Sequence, residues 1–170
     1  MTVKRLLRLA VPVMLAAVPV AAQESRPMTN LPAGDHAALV TAPAGALQGR
    51  VEGELHVFRG IPYAQAGRWQ APQPVAPWRG VRQATAFGPA CYQPASKLNT
   101  IYANEPWPMS EDCLSLNIWA PANAKHAPVF FWIYGGALWS GTARDPMYDG
   151  RKLAEKGVVV VSINLSLIHI

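Results

Sequence analysis

The hydrophobic pattern changes texture near Ser110. Before it, apolar residues come in short groups broken by Gly and Pro. Gly45, Gly49 and Gly53 punctuate two stretches, 46–51 and 55–59, that read as short strands. Residues 59–89 are turn-rich, with Pro62, Pro72, Pro74 and Pro77. Trp69 and Trp78 predict that this stretch is an ordered wrapping loop, because large aromatics seek burial. A second irregular stretch covers residues 91–109. After Ser110, Leu114, Leu116 and Ile118 alternate with Ser115, Asn117 and Trp119, the period-two pattern of a strand. Val129–Ile133 and residues 158–163 are unbroken apolar runs, which predict strands buried on both faces of a helix-covered sheet. Asp149 is placed to cap a short helix through Lys156, closed by Gly157. Strand, loop, helix, strand is the beginning of an α/β fold.

The N-terminal 22 residues have a different logic. Lys4, Arg5 and Arg8 form a basic start, and residues 9–22 are an uncharged, largely apolar run of 14. Val20 and Ala22 are small enough to precede a cleavage site before Gln23, so residues 1–22 read as a secretory signal. The alternative, a membrane anchor, fails on length: 14 residues containing two prolines are too short for a hydrocarbon core of about 30 Å. The mature protein is therefore expected to be exported, secreted or periplasmic, with no membrane association after cleavage. Residues 23–38 read as a polar arm without periodicity.

Composition narrows the rest. Thirteen of the 16 prolines lie between Pro27 and Pro128, which excludes a helical bundle there. The net charge of +5 includes the three cations of the signal; without them 12 Lys and Arg face 10 Asp and Glu. No basic run remains, so a nucleic-acid footprint is absent. The four histidines stand apart in sequence, and no Cys/His spacing suits a metal. No organic cofactor motif occurs either. Glu111 and Asp112 are adjacent, so in an extended chain they diverge rather than share a proton. Cys91 and Cys113 are the only cysteines. An even count in an exported chain suggests a disulfide; two buried thiols are the alternative.

Tyr134-Gly135-Gly136-Ala137 follows the apolar strand directly. A glycine pair there lets backbone N–H groups face a cleft, where two of them can stabilise an oxyanion. A simple tight turn is the competing reading.

Four segments together resemble a known family. Glu111-Asp112-Cys113-Leu114-Ser115-Leu116-Asn117-Ile118 resembles the E-D-C-L-x-L-N-[IV] signature of type B carboxylesterases, the cholinesterase-like α/β-hydrolases. Phe58-Arg59-Gly60-Ile61-Pro62-Tyr63-Ala64 is similar to F-x-G-I-P-[YF]-A. Arg68-Trp69-Gln70-Ala71-Pro72 is similar to R-[FW]-x-x-P, and Trp132-Ile133-Tyr134-Gly135-Gly136-Ala137 to W-[IV]-[HY]-G-G-[GA]. The match runs over residues 49–164, and residues 23–164 are read as the N-terminal portion of the domain.

The resemblance implies an α/β-hydrolase sheet with wrapping loops, cleaving small-molecule carboxylic esters by a Ser–His–Glu/Asp triad. It implies oxyanion N–H groups at Gly136 and Ala137, with Gly135 shaping the loop. It also implies a Cys91–Cys113 disulfide and a structural Arg68–Glu111 ion pair. No G-x-S-x-G occurs in the chain, so the nucleophile elbow and the rest of the triad are not in it. His169 comes too early for the Ser…acid…His order of this fold. Residues 165–170 leave the family pattern and read as a divergent tail, either native or foreign to the domain. Two functions follow: an exported ester hydrolase seen through its N-terminal portion, itself expected to be inactive, or a catalytically inactive cholinesterase-like binding or adhesion module.

Overall fold

The computed structural model describes residues 37–94, 107–137 and 139–167; the expected signal and residues 168–170 lie outside them. Eleven strands follow in chain order among the described residues: β1 (Ala37–Ala42), β2 (Gly45–Glu52), β3 (Leu55–Pro62), β4 (Ala64–Gln65), β5 (Gln73–Pro74), β6 (Val81–Gln83), β7 (Ala90–Cys91), β8 (Met109–Ser110), β9 (Ser115–Pro121), β10 (Val129–Ile133) and β11 (Val159–Ile163). Seven form one sheet in the order β1-β2-β3-β9-β11-β10, with β6 beside β2. The first five strands of that path pair antiparallel, and β10 lies parallel to β11. A parallel pair needs a crossover; here it carries a 3-10 turn (Pro146–Tyr148) and the helix α1 (Arg151–Ala154).

Apolar clusters cover the central strands on both sides. Ala38, Val40, Leu47, Phe58, Ile61 and Ala84 form one, which Leu116 and Ile118 join as partly buried neighbours. Leu55, Val57, Trp119, Ala154 and Val160 form the other. At the β3–β9 seam the register shifts between Phe58 and Ile61. Gly60 makes the shift feasible: its φ is 69°, and a Cβ there would meet the Ala86 carbonyl oxygen at 2.5 Å. Its N–H is recovered by the Asn117 side chain at 3.0 Å. Across the sheet, Arg59 and Arg151 both donate to Glu52, at 2.5 Å each. The hydrogen bond from Arg59 lowers the Glu52 pKa, outweighing the opposing effect of burial.

Several expectations are corrected. The polar arm gives way to β1 at Ala37, whose Ala38 and Val40 are buried against β2. The alternation expected of β9 is present, with Leu116 and Ile118 partly buried against the first cluster. Ser115, Asn117 and Trp119 are the buried set, because Asn117 is satisfied by Gly60 and by the Ser162 hydroxyl at 3.2 Å. The helix is shorter than 149–156, although the Asp149 carboxylate still accepts from the Arg151 N–H at 2.8 Å and Gly157 ends the turn at φ 89°. Residue 158 precedes β11, and only alternate β11 positions are buried. In this portion of the sheet β10 is exposed along its whole length, the poor cover expected where only part of a sheet is present. Among the described residues it is the edge of this sheet, with β11 as its one neighbour. In the loop, Trp78 packs and donates to the Ala46 carbonyl at 2.9 Å, whereas Trp69 is 75% exposed.

Cys91 and Cys113 are bonded, with Cα atoms 5.0 Å apart, and both are buried beside Ala64 and Leu114. The bridge closes a loop of 22 residues by sequence separation. Replacing both by Ser is expected to lower stability by about 3 kcal/mol on the chain-entropy account. Urea unfolding of the oxidised protein beside the variant checks this; equal midpoints and slopes would rule it out. Arg68 sits beside Glu111, its Nε donating to Oε1 at 2.8 Å. Their side chains are 49% and 40% exposed, so the pair is solvated and contributes about 0–1 kcal/mol rather than the cost of a buried pair.

Candidate functional site

The apolar run of β10 ends at Ile133, and the chain turns through Tyr134, Gly135, Gly136 and Ala137. The turn has two unusual backbone positions. Gly136 has φ 148°, and a Cβ there would lie 1.8 Å from the Ser140 carbonyl oxygen, so only glycine fits. Ala137 has φ 53°, a left-handed conformation that costs an L-residue about 1–2 kcal/mol. Such strain persists where the surrounding structure over-determines it.

The surroundings do so here. The Gly136 carbonyl accepts from Trp139 N and Ser140 N, each at 3.1 Å, and from the Ser140 hydroxyl at 3.3 Å. No described residue accepts a hydrogen bond from the N–H of Gly136 or of Ala137. The turn lines a hollow of about 130 Å³ together with Tyr134, Ser140, Leu165 and Leu167. A larger hollow, about 450 Å³, lies elsewhere, between residues 65–73 and the Glu111-Asp112 pair. It is lined by the Glu111 and Asp112 carboxylates and the amides of Gln65, Gln70 and Gln73.

Tyr134 anchors the start of the turn. Its hydroxyl donates to the Leu165 carbonyl and accepts from the Leu165 N–H, both at 3.2 Å. Burial, foremost, pushes its pKa from 10.0 to about 12. The neutral phenol therefore stabilises the fold fully below pH 10 and ceases to do so as pH rises through about 12. Tyr134→Phe is expected to be less stable than the parent at pH 8, with the gap narrowing from pH 10 upward. Guanidinium unfolding across that range checks it; a pH-independent gap would contradict it.

Beyond the turn, Asn164 organises the end of β11. Its Nδ2 donates to the Pro89 and Cys113 carbonyls at 2.9 and 3.1 Å. Its Oδ1 accepts from Ala143 N at 2.8 Å and from the Thr142 hydroxyl at 3.2 Å. Tyr63 donates to its carbonyl at 2.6 Å. Sequence reading missed this hub and also Gln93, whose amide pairs with the backbone of Gly141. For Asn164 the available signal was a polar residue directly after an apolar strand, which is too common to single it out, and Gln93 lies in an irregular stretch with no such signal.

The structure thus brings Gly135, Gly136 and Ala137 to one hollow. Arg68 and Glu111 pair in the wrapping segments, while Cys91 and Cys113 pack beside Leu167, which also lines the hollow. His36 and His169 lie outside the described residues. Among the described residues no group of three His, Cys, Asp or Glu side chains could hold a metal, and no helix is long and apolar enough to cross a membrane.

Comparison with known proteins agrees with this architecture. The profile of the carboxylesterase family matches residues 36–167. The para-nitrobenzyl esterase of Bacillus subtilis is 43% identical over 135 residues, covering 76% of this chain and 27% of its own length. The acetylcholinesterase of Bungarus fasciatus is 41% identical, covering 74% of this chain and 23% of its own. A solved para-nitrobenzyl esterase structure superposes with a TM-score of 0.68 at 41% identity, over 74% of this chain and 27% of that one. The chain thus spans about a quarter of the length of these relatives, and its sheet is an N-terminal portion of an α/β-hydrolase fold. The chain belongs to the carboxylesterase family.

Proposed function

We propose that this chain is the oxyanion-bearing N-terminal portion of an exported serine hydrolase that cleaves small-molecule carboxylic esters. Attack on an ester carbonyl by a serine of a Ser–His–Glu/Asp triad puts negative charge on the former carbonyl oxygen. The backbone N–H groups of Gly136 and Ala137 receive that charge, and Gly135 gives the loop its shape. The observation that carries this reading is the pair of unclaimed amides on a loop bent into a conformation that its neighbours enforce. Donors already fixed in place stabilise the intermediate without reorganising, each contributing about 3–4 kcal/mol. A binding module has no need of them. The basic start and apolar run of residues 1–22 support export through a cleaved signal.

The test uses an alkyl fluorophosphonate, which phosphonylates an activated serine. The full-length protein carrying this chain is expected to be labelled and to hydrolyse p-nitrophenyl esters of short acids. The 170-residue chain alone, which contains no G-x-S-x-G, is expected to do neither. A full-length protein that is folded, unlabelled and inert would favour the adhesion-module reading instead.

A further inference from the structure

The oxyanion loop is held from a direction that the mechanism does not use. Gly141 lies against the loop's beginning: a Cβ built on it would sit 2.5 Å from the Tyr134 ring and 2.8 Å from the Gly135 carbonyl oxygen. Gly141 is gripped by one side chain. Gln93 Oε1 accepts from the Gly141 N–H at 2.7 Å, and Gln93 Nε2 donates to the Gly141 carbonyl at 2.9 Å. The amide's orientation follows from its partner, because a backbone N–H only donates and a carbonyl only accepts. Nε2 also donates to the Cys91 carbonyl at 3.1 Å. Cys91 is itself immobilised, 1% exposed and bonded to Cys113.

The grip reaches the reacting end through one peptide plane. Ser140 precedes Gly141 and donates twice to the Gly136 carbonyl, from its N–H and from its hydroxyl. A trans peptide is planar, with the N–H antiparallel to the C=O. Pinning the Gly136 carbonyl therefore aims the Ala137 N–H to the opposite side. We propose that Gln93 is a positioning residue that aims the Ala137 N–H through Gly141, Ser140 and the Gly136 carbonyl, using the disulfide-fixed Cys91 as its base. This rests on the oxyanion role given to Ala137 above.

A positioning role and a merely structural one differ in what they move. Misaligning a donor weakens binding of the tetrahedral state more than binding of the ester, so kcat falls while KM holds. The test is steady-state kinetics of the full-length protein with Gln93→Leu and Gln93→Glu, alongside the affinity of a trifluoromethyl ketone, which forms a tetrahedral adduct. Gln93→Leu is expected to lower kcat about 10–100-fold, with KM changed less than about twofold and ketone affinity falling in parallel. Gln93→Glu keeps an acceptor for the Gly141 N–H but, ionised, loses the donor to its carbonyl. Its kcat relative to the parent is expected to rise as pH falls, because the protonated carboxyl regains that donor.

If either variant folds with native circular dichroism and keeps the parent's kcat and ketone affinity, the proposal is overturned. If Gln93→Leu does not fold, Gln93→Glu decides: a pH-independent ratio to the parent overturns it. Ala137→Pro separates the two readings. Should Ala137→Pro lose kcat while the Gln93 variants keep it, the oxyanion role stands and only the role of Gln93 falls. Should Ala137→Pro keep kcat, the oxyanion role itself falls.

Discussion

Ala137→Pro in the full-length protein is expected to lower kcat about 10²–10³-fold while raising KM far less. Proline removes the Ala137 N–H, one of the two donors assigned to the developing oxyanion. It also holds φ near about −65°, whereas Ala137 sits at 53°. The loss therefore combines a missing donor with a displaced loop, and a control must separate them. Ala137→Gly keeps the N–H and accepts the positive φ without strain, so it should retain the parent's kcat. Ala137→Ser should also change little, because the donor is backbone. A proline variant with native circular dichroism and undiminished kcat would show that Ala137 is only part of a turn.

Asn164→Leu is expected to destabilise the full-length protein by about 3–5 kcal/mol. The side chain is 3% exposed and joins four backbone or hydroxyl partners from three separate segments. Leucine is similar in size, so the main cost is not a cavity. It is the Ala143 N–H and the Pro89 and Cys113 carbonyls left without their partner, at about 1–3 kcal/mol for each buried group. These costs do not sum simply, because the segments relax together. Thermal or urea unfolding reads the effect, and a change below about 1 kcal/mol would mean that water replaces the amide readily. Asn164→Asp should also be destabilising, since a carboxylate keeps the acceptor and loses both donors.

Local patterns were legible where local physics decides them. Residues 46–51 and 55–59 announced β2 and β3, because short stretches of alternating apolar and polar residues bounded by turn glycines have the pattern of strands. The run Val129–Ile133 announced β10 residue for residue. Gly135 and Gly136 announced a turn, and Gly136 indeed sits where only glycine fits. By contrast, β1 was hidden in a segment of small residues, whose strand character comes from pairing with β2 rather than from side-chain size. Trp69 was expected inside because it is large, yet its burial depends on a neighbour that none of the described residues supplies. The Arg68–Glu111 pair came from resemblance, and its solvent exposure could not be read from the letters.

The sequence by itself determined the periods, the turn glycines and the family signature, because each is written in neighbouring residues. Tertiary structure alone decided which phase of β9 faces inward. Asn117 is buried because Gly60 and Ser162, 57 and 45 residues away, supply its partners. It alone decided that Asn164 joins three segments and that Gln93 meets Gly141 across 48 residues. Hydrogen bonds between distant residues leave no periodic trace in the chain, since each depends on two polar groups that only the closed sheet brings together. The exposure of β10 was decided the same way: its residues are apolar on both faces, but only β11 packs beside it among the described residues. Hydrophobicity states what a strand would bury, and the assembled neighbours settle what it does bury.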